Sequence, residues 1–173
     1  MSSKLAKLMT NRKTPLKGNK NTTERMSIDE TDKRILKLLV WDARLSYREI
    51  ARNTKLSTTT VIERLKKMRA AGVINGYSVN LNPKKMGYEL TAIIELVAPK
   101  IILLRAVGEI TELPNVYAVY HTTGDVDAII IAKFKDIGGL HSFLAGLYEK
   151  LEIQRSETRI VLDTVKEDFR VLV

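Results

Sequence analysis

The chain contains no cysteine, which rules out disulfides, thiolate metal sites and a cysteine nucleophile. Aromatic residues make up only 6% of its 173 residues, with a single tryptophan. The only two histidines, His121 and His141, lie in no local metal-ligand motif. No serine sits in a nucleophile elbow, and no glycine-rich phosphate loop is present. No apolar run approaches the ~18 residues of a membrane span. The longest candidates, Ala92–Ala98 and Ala128–Ala132, have the length of strands. The first residues lack the apolar stretch of a secretory signal. What remains is a chain with 45% hydrophobic residues, enough for a core, and few candidates for catalysis.

Charge is distributed unevenly. The formal total is +9, carried as +6 in residues 1–27, +5 in 28–80 and −2 in 81–173. The excess lies in the first half, so a polyanion is expected to meet the protein there. Met1 to Thr23 holds no acid, and Pro15 and Gly18 break any helix. Residues 1–26 read as a disordered basic arm able to add phosphate contacts. An organellar transit peptide has a similar composition. A start at Met26, just before the first helix, is a third reading.

Residues 27–75 carry a helix-turn-helix pattern. A first helix is expected over Asp29–Val40, capped by Asp29, with Ile35, Leu36, Leu38 and Leu39 on its apolar face. Ser46 and Glu49 form a capping box that opens a second helix. Lys55-Leu56 makes the turn, and Ser57 caps a third helix. In it Val61, Leu65 and Met68 recur as one buried stripe. Gly72 ends it at a position suited to a left-handed cap. Two capped helices around a short turn are the layout that places the second in the DNA major groove.

After Gly72 the period changes. Val73 to Leu81 read as a short extended segment stopped by Asn82-Pro83, and residues 76–88 as a hinge between two domains. Residues 89–173 then give strand and helix signals in the order βαββαβ. They are Leu90–Val97, Lys100–Thr111, Asn115–Thr122, Asp127–Phe134, Asp136–Leu151 and Glu157–Val165. The expected architecture is α+β, a winged-helix-like domain joined to a ferredoxin-like split βαββαβ domain. Such a sheet has helices on one face only. Its other face calls for a partner, so a homo-oligomer is expected.

These motifs resemble the Lrp/AsnC family, the leucine-responsive and asparagine-responsive (feast/famine) transcription regulators. The likeness rests on IDETDKRILKLL, DARLSYREIA, LSTTTVIERLKKMRAAGVINGY and NPKKMGY in the first half, and on TTGDVDAIII and TRIVLDTVKED in the second. It covers roughly residues 27–170. The basic arm, Val40-Trp41 and Gly138-Gly139 depart from it. The resemblance implies a regulator, not an enzyme, that needs no cofactor. It would act in the cytoplasm on the nucleoid, bind double-stranded DNA as a homodimer within a tetramer, octamer or larger ring, and answer to an amino acid.

The third helix carries the candidate DNA chemistry. Ser57, Thr58, Thr59 and Thr60 bring hydroxyls, and the threonines add methyls that pack on thymine. Arg64 suits a bidentate fork on guanine or a grip on phosphate. Glu63 would accept from cytosine or orient Arg64, while Lys66 and Lys67 suit phosphates. Arg44, Ser46 and Tyr47 would clamp the backbone at the start of the second helix. The plainer reading is a solvated polar face on a structural helix. Trp41 reads as a packing residue rather than a base-stacking one. The turn Gly124-Asp125-Val126-Asp127 has three readings: an ordinary turn, an oxygen-ligand metal site, or the amino-acid pocket that the resemblance implies. The pocket would use Thr123, Gly124, Asp125 and Asp127. No metal is assigned. A DNA-packing protein with little sequence preference and no effector is the alternative function.

Overall fold

The computed structural model describes residues 26–173, and the basic arm expected before Met26 lies outside them. The described chain divides into two compact units. One holds the residues up to Val79 together with Glu167–Val173, and the other is Asn80–Lys166. The last seven residues, expected with the second domain, therefore cluster with the first.

In the first unit α1 spans Glu30–Trp41, α2 Tyr47–Thr54 and α3 Thr58–Ala70. Each start is fixed by a side chain that satisfies amide groups no helix turn can reach. The Asp29 carboxylate accepts from the amide of Asp32, and the Asp32 carboxylate accepts in return from that of Asp29. Ser46 and Glu49 form the same reciprocal box on α2. Ser57 Oγ accepts from the Thr60 amide on α3. Lys55 takes a left-handed conformation (φ 58°) that ends α2 and makes the turn tight. Ile35, Ile50, Ala51, Val61, Leu65 and Met68 form the core of the three helices. Gly72 has φ +71°, and the Val73 amide folds back onto the carbonyl of Met68. The extended segment expected over 73–81 forms no strand. It finds no ladder partner among the described residues, and Val79 and Leu81 stand exposed.

In the second unit β1 (Leu90–Val97), α4 (Lys100–Thr111), β2 (Val116–His121), β3 (Ala128–Phe134), α5 (Ile137–Lys150) and β4 (Arg155–Ile160) follow in the order βαββαβ. The sheet is antiparallel throughout, in the order β2-β3-β1-β4. Ala92, Ile94 and Leu96 on β1 and Ala128, Ile130, Ala132 and Phe134 on β3 point to one face. There they pack with Leu103 and Ile110 of α4 and Leu140 and Leu147 of α5. On α4 Leu103 and Ile110 are buried against the sheet, while Ile101 is exposed. The last strand lies earlier than its apolar alternation suggested. Pairing with β1 sets its register from Arg155 opposite Val97 to Ile160 opposite Ala92. Past the Val161 amide, bonded to the Thr91 carbonyl, no strand is left to pair with, and Leu162 and Val165 are almost fully exposed.

Candidate nucleic-acid interface and effector turn

Burial of Val61, Leu65 and Met68 decides which side of α3 faces outward. At 100° per residue the opposite side carries Thr59, Glu63, Lys66, Lys67 and Ala70, all exposed. Among the described residues neither Lys66 nor Lys67 has a carboxylate partner. Their charge is directed outward, as a polyanion-binding face requires.

The other expected residues are placed differently. Ser57 and Thr60 share a hydroxyl–hydroxyl hydrogen bond of 2.8 Å beside the cap, so both serve the helix start. Thr58 is half-buried. The Ser46 hydroxyl donates to Glu49 Oε2 at 2.7 Å, inside its own capping box. Arg44 forks onto Asp42, with distances of 2.9 and 3.0 Å. That guanidinium drives the Asp42 carboxyl down to about 2.

Arg64 departs most from expectation. It lies on a flank of α3, where Nη1 donates to Asp29 Oδ2 at 2.7 Å and to Asp32 Oδ1 at 2.8 Å. The hydrogen bond from Arg64 holds the Asp29 carboxyl below its ordinary value, and the two acids raise Arg64 in turn. Glu63 does not orient it, because α1 does. A guanine fork from Arg64 would have to compete with that bridge.

Arg69, which drew no attention in the sequence, occupies the opposite flank. Its guanidinium donates to Tyr47 Oη at 3.4 Å and Tyr77 Oη at 3.3 Å and lies 5.4 Å from the centre of the Tyr77 ring. It ties the starts of α2 and of the outgoing chain to the last turn of α3. Only the fold joins these residues, so no local spacing revealed them. Trp41, expected to pack, is 70% exposed and meets the guanidinium of Arg170, 5.3 Å from its ring centre.

The turn after β2 is held by the backbone. The Thr122 amide donates to the Asp127 carbonyl at 3.1 Å, and the Thr122 hydroxyl to that of Val126. Gly124 has φ +100°, which a side chain would strain even though the space around it is open. The two acids differ. Asp127 Oδ2 accepts from the Ala98 amide at 3.1 Å, so its carboxylate anchors the end of β1. Asp125 is exposed, and its carbonyl accepts from Arg155 at 3.5 Å. Thr123 is exposed beside it. Among the described residues no group of three or more His, Cys, Asp or Glu could hold a metal ion. His121 and His141 are both exposed. No helix among the described residues is long and apolar enough to cross a membrane.

Known proteins share both units. Residues 28–75 match the family model for winged helix-turn-helix DNA-binding, and residues 93–171 that for the Lrp/AsnC ligand binding domain. An uncharacterized HTH-type transcriptional regulator of Pyrococcus furiosus is 40% identical over 84% of this chain and 99% of its own. The HTH-type transcriptional regulator Ptr1 of Methanocaldococcus jannaschii is 36% identical over 83% of this chain and 98% of its own. Among solved structures, E. coli AsnC superposes with a TM-score of 0.73 at 30% identity, covering 82% of this chain and 97% of that one. A transcriptional regulator of Neisseria meningitidis, solved as a complex with L-Met, gives 0.76 at 25% identity, covering 84% and 96%.

Proposed function

Given that the chain belongs to the Lrp/AsnC family of DNA-binding transcription regulators, which are not enzymes, we propose that it reads a roughly palindromic DNA site as a homodimer within a larger assembly. The carrying observation is the outward face of α3. Thr59 and Glu63 stand near the helix start, where base edges are reached, and Lys66 and Lys67 follow with uncompensated charge. Thr58 adds its methyl at the same end. Arg64 braces the helix, while Ser46, Tyr47 and Arg44 flank the DNA backbone. An amino acid binding at Thr123, Gly124 and Asp125 is the proposed effector, with Asp127 shaping the turn. The L-Met complex of the Neisseria regulator supports that reading by kinship. Ile93, Ile129 and Ile131 lie on the helix-free face of the sheet, which supports burial against a second copy.

One observation favours the rival architectural reading. Arg64, the arginine expected to fork on guanine, is engaged by two carboxylates, and Arg44 by a third, while the outward face of α3 presents lysines suited to phosphate. Selection of bound DNA from a random pool, with and without a mixture of amino acids, decides between them. Enrichment of a defined motif supports the regulator. A uniform pool with strong salt dependence supports DNA packing.

A further inference from the structure

The C-terminal residues Glu167–Val173 pack with the helix-turn-helix unit, although β4 lies in the other unit. Asp168 shapes this segment by accepting from the amide, Nε and Nη2 of Arg170, at 3.1, 2.9 and 2.9 Å. The guanidinium so held lies over the ring of Trp41, the last residue of α1. Phe169, Val171 and Val173 alternate along the segment and line a trough of about 510 Å³ shared with Leu36, Leu39 and Val40 of α1. The attachment is thin, since Phe169 and Val171 remain largely exposed. The first turn of the same helix supplies Asp32, and its cap Asp29, the two acids that hold Arg64 of α3.

We propose that residues 167–173 act as a releasable strap on α1, steadying that helix and, through the Asp29/Asp32–Arg64 bridge, the DNA-facing helix α3. The occupant of the trough is this chain's own C-terminal segment. The part of the inference that concerns DNA rests on the function proposed above. The strap itself does not.

The test uses the full chain, and the absence of native cysteine makes it clean. Val40→Cys with Val171→Cys, treated with a short bismaleimide, is expected to give an internal cross-link at the mass of one chain. Deletion of residues 168–173 is expected to speed amide exchange in α1 several-fold and leave β1 and β3 unchanged, with Arg170→Lys falling between deletion and wild type. Affinity for the selected DNA site is expected to fall several-fold on deletion and to survive cross-linking. A cross-link joining two chains, or unchanged exchange in α1, overturns the strap. Faster exchange in α1 with unaltered DNA affinity overturns its link to α3. A chain that binds no DNA fails the function proposed above, and the exchange and cross-linking results still decide the strap.

Discussion

Arg64 Nη1 donates to Asp32 Oδ1 at 2.8 Å, and the Asp32 side chain is only 3% exposed. One cation from α3 thus satisfies a carboxylate of α1 buried beneath it, with Asp29 completing the bridge. A buried carboxylate left without its partner keeps its desolvation cost and loses its compensation. Arg64→Ala should therefore lower the stability of the helix-turn-helix unit by about 1–3 kcal/mol. The Arg64→Ala/Asp32→Asn double variant should recover part of that loss, because it removes the unpaired charge. Thermal unfolding measures both. Base preference in a selection experiment should survive Arg64→Ala if Arg64 is a brace. A change of preferred base without loss of stability would make it a reader instead.

Acid should act on the same unit. Hydrogen bonding from Arg64 depresses Asp29, Arg44 depresses Asp42 to about 2, and the Ser46 hydroxyl depresses Glu49. Each group prefers its charged form in the folded state. Its stabilising contribution is complete above the unfolded value, roughly 4, and is lost as pH falls through the lower folded value. Helicity should then be flat with pH between about 5 and 8 as far as these groups are concerned, and fall between about 4 and 2. Asp42→Asn should remove its share of that dependence. A circular-dichroism titration would contradict the assignment if the main loss came near pH 6.

Lys66 and Lys67 are expected to contribute charge rather than base recognition. Lys67→Ala should weaken binding to all sequences alike and flatten the salt slope by about one unit. Arg69→Gln removes both a charge and the tie from α3 to Tyr47 and Tyr77. It should weaken binding and also lower the melting temperature, whereas Lys67→Ala should leave melting unchanged. Titrations at several salt concentrations, run beside melting curves, separate the two.

Local chemistry made much of this legible. The three helix starts are written in Asp29, Ser46 and Ser57, whose caps act within three residues, and β1 in the alternation of Ala92, Ile94 and Leu96. What escaped depends on residues distant in sequence. Arg64 looked free because its partners lie 32 and 35 positions away. Leu162 and Val165 read as strand because alternation says nothing about where the neighbouring strand ends. Asp125 and Asp127 looked equivalent, but only Asp127 falls beside the Ala98 amide, 29 positions back.

That last difference gives a prediction about the turn. Asp127→Asn replaces the charged acceptor of the Ala98 amide, so it should destabilise the second unit modestly, by about 1 kcal/mol. Asp125→Asn touches no such bond and should leave melting unchanged. If Thr123–Asp125 receive an amino acid, Asp125→Asn should still weaken that ligand, because it removes the acceptor for the ammonium. Affinity is expected in the micromolar to millimolar range, about −8 to −4 kcal/mol. Gly124→Val should block binding through backbone strain at φ +100°, since the space around Gly124 is open. Calorimetry of the assembled protein against the common amino acids is the measurement. Heat from one of them that disappears in Asp125→Asn while melting is preserved identifies the turn as the effector site. Silence from every amino acid, with DNA binding intact and indifferent to them all, would leave Asp125 an ordinary turn residue and favour the effector-free, DNA-packing reading.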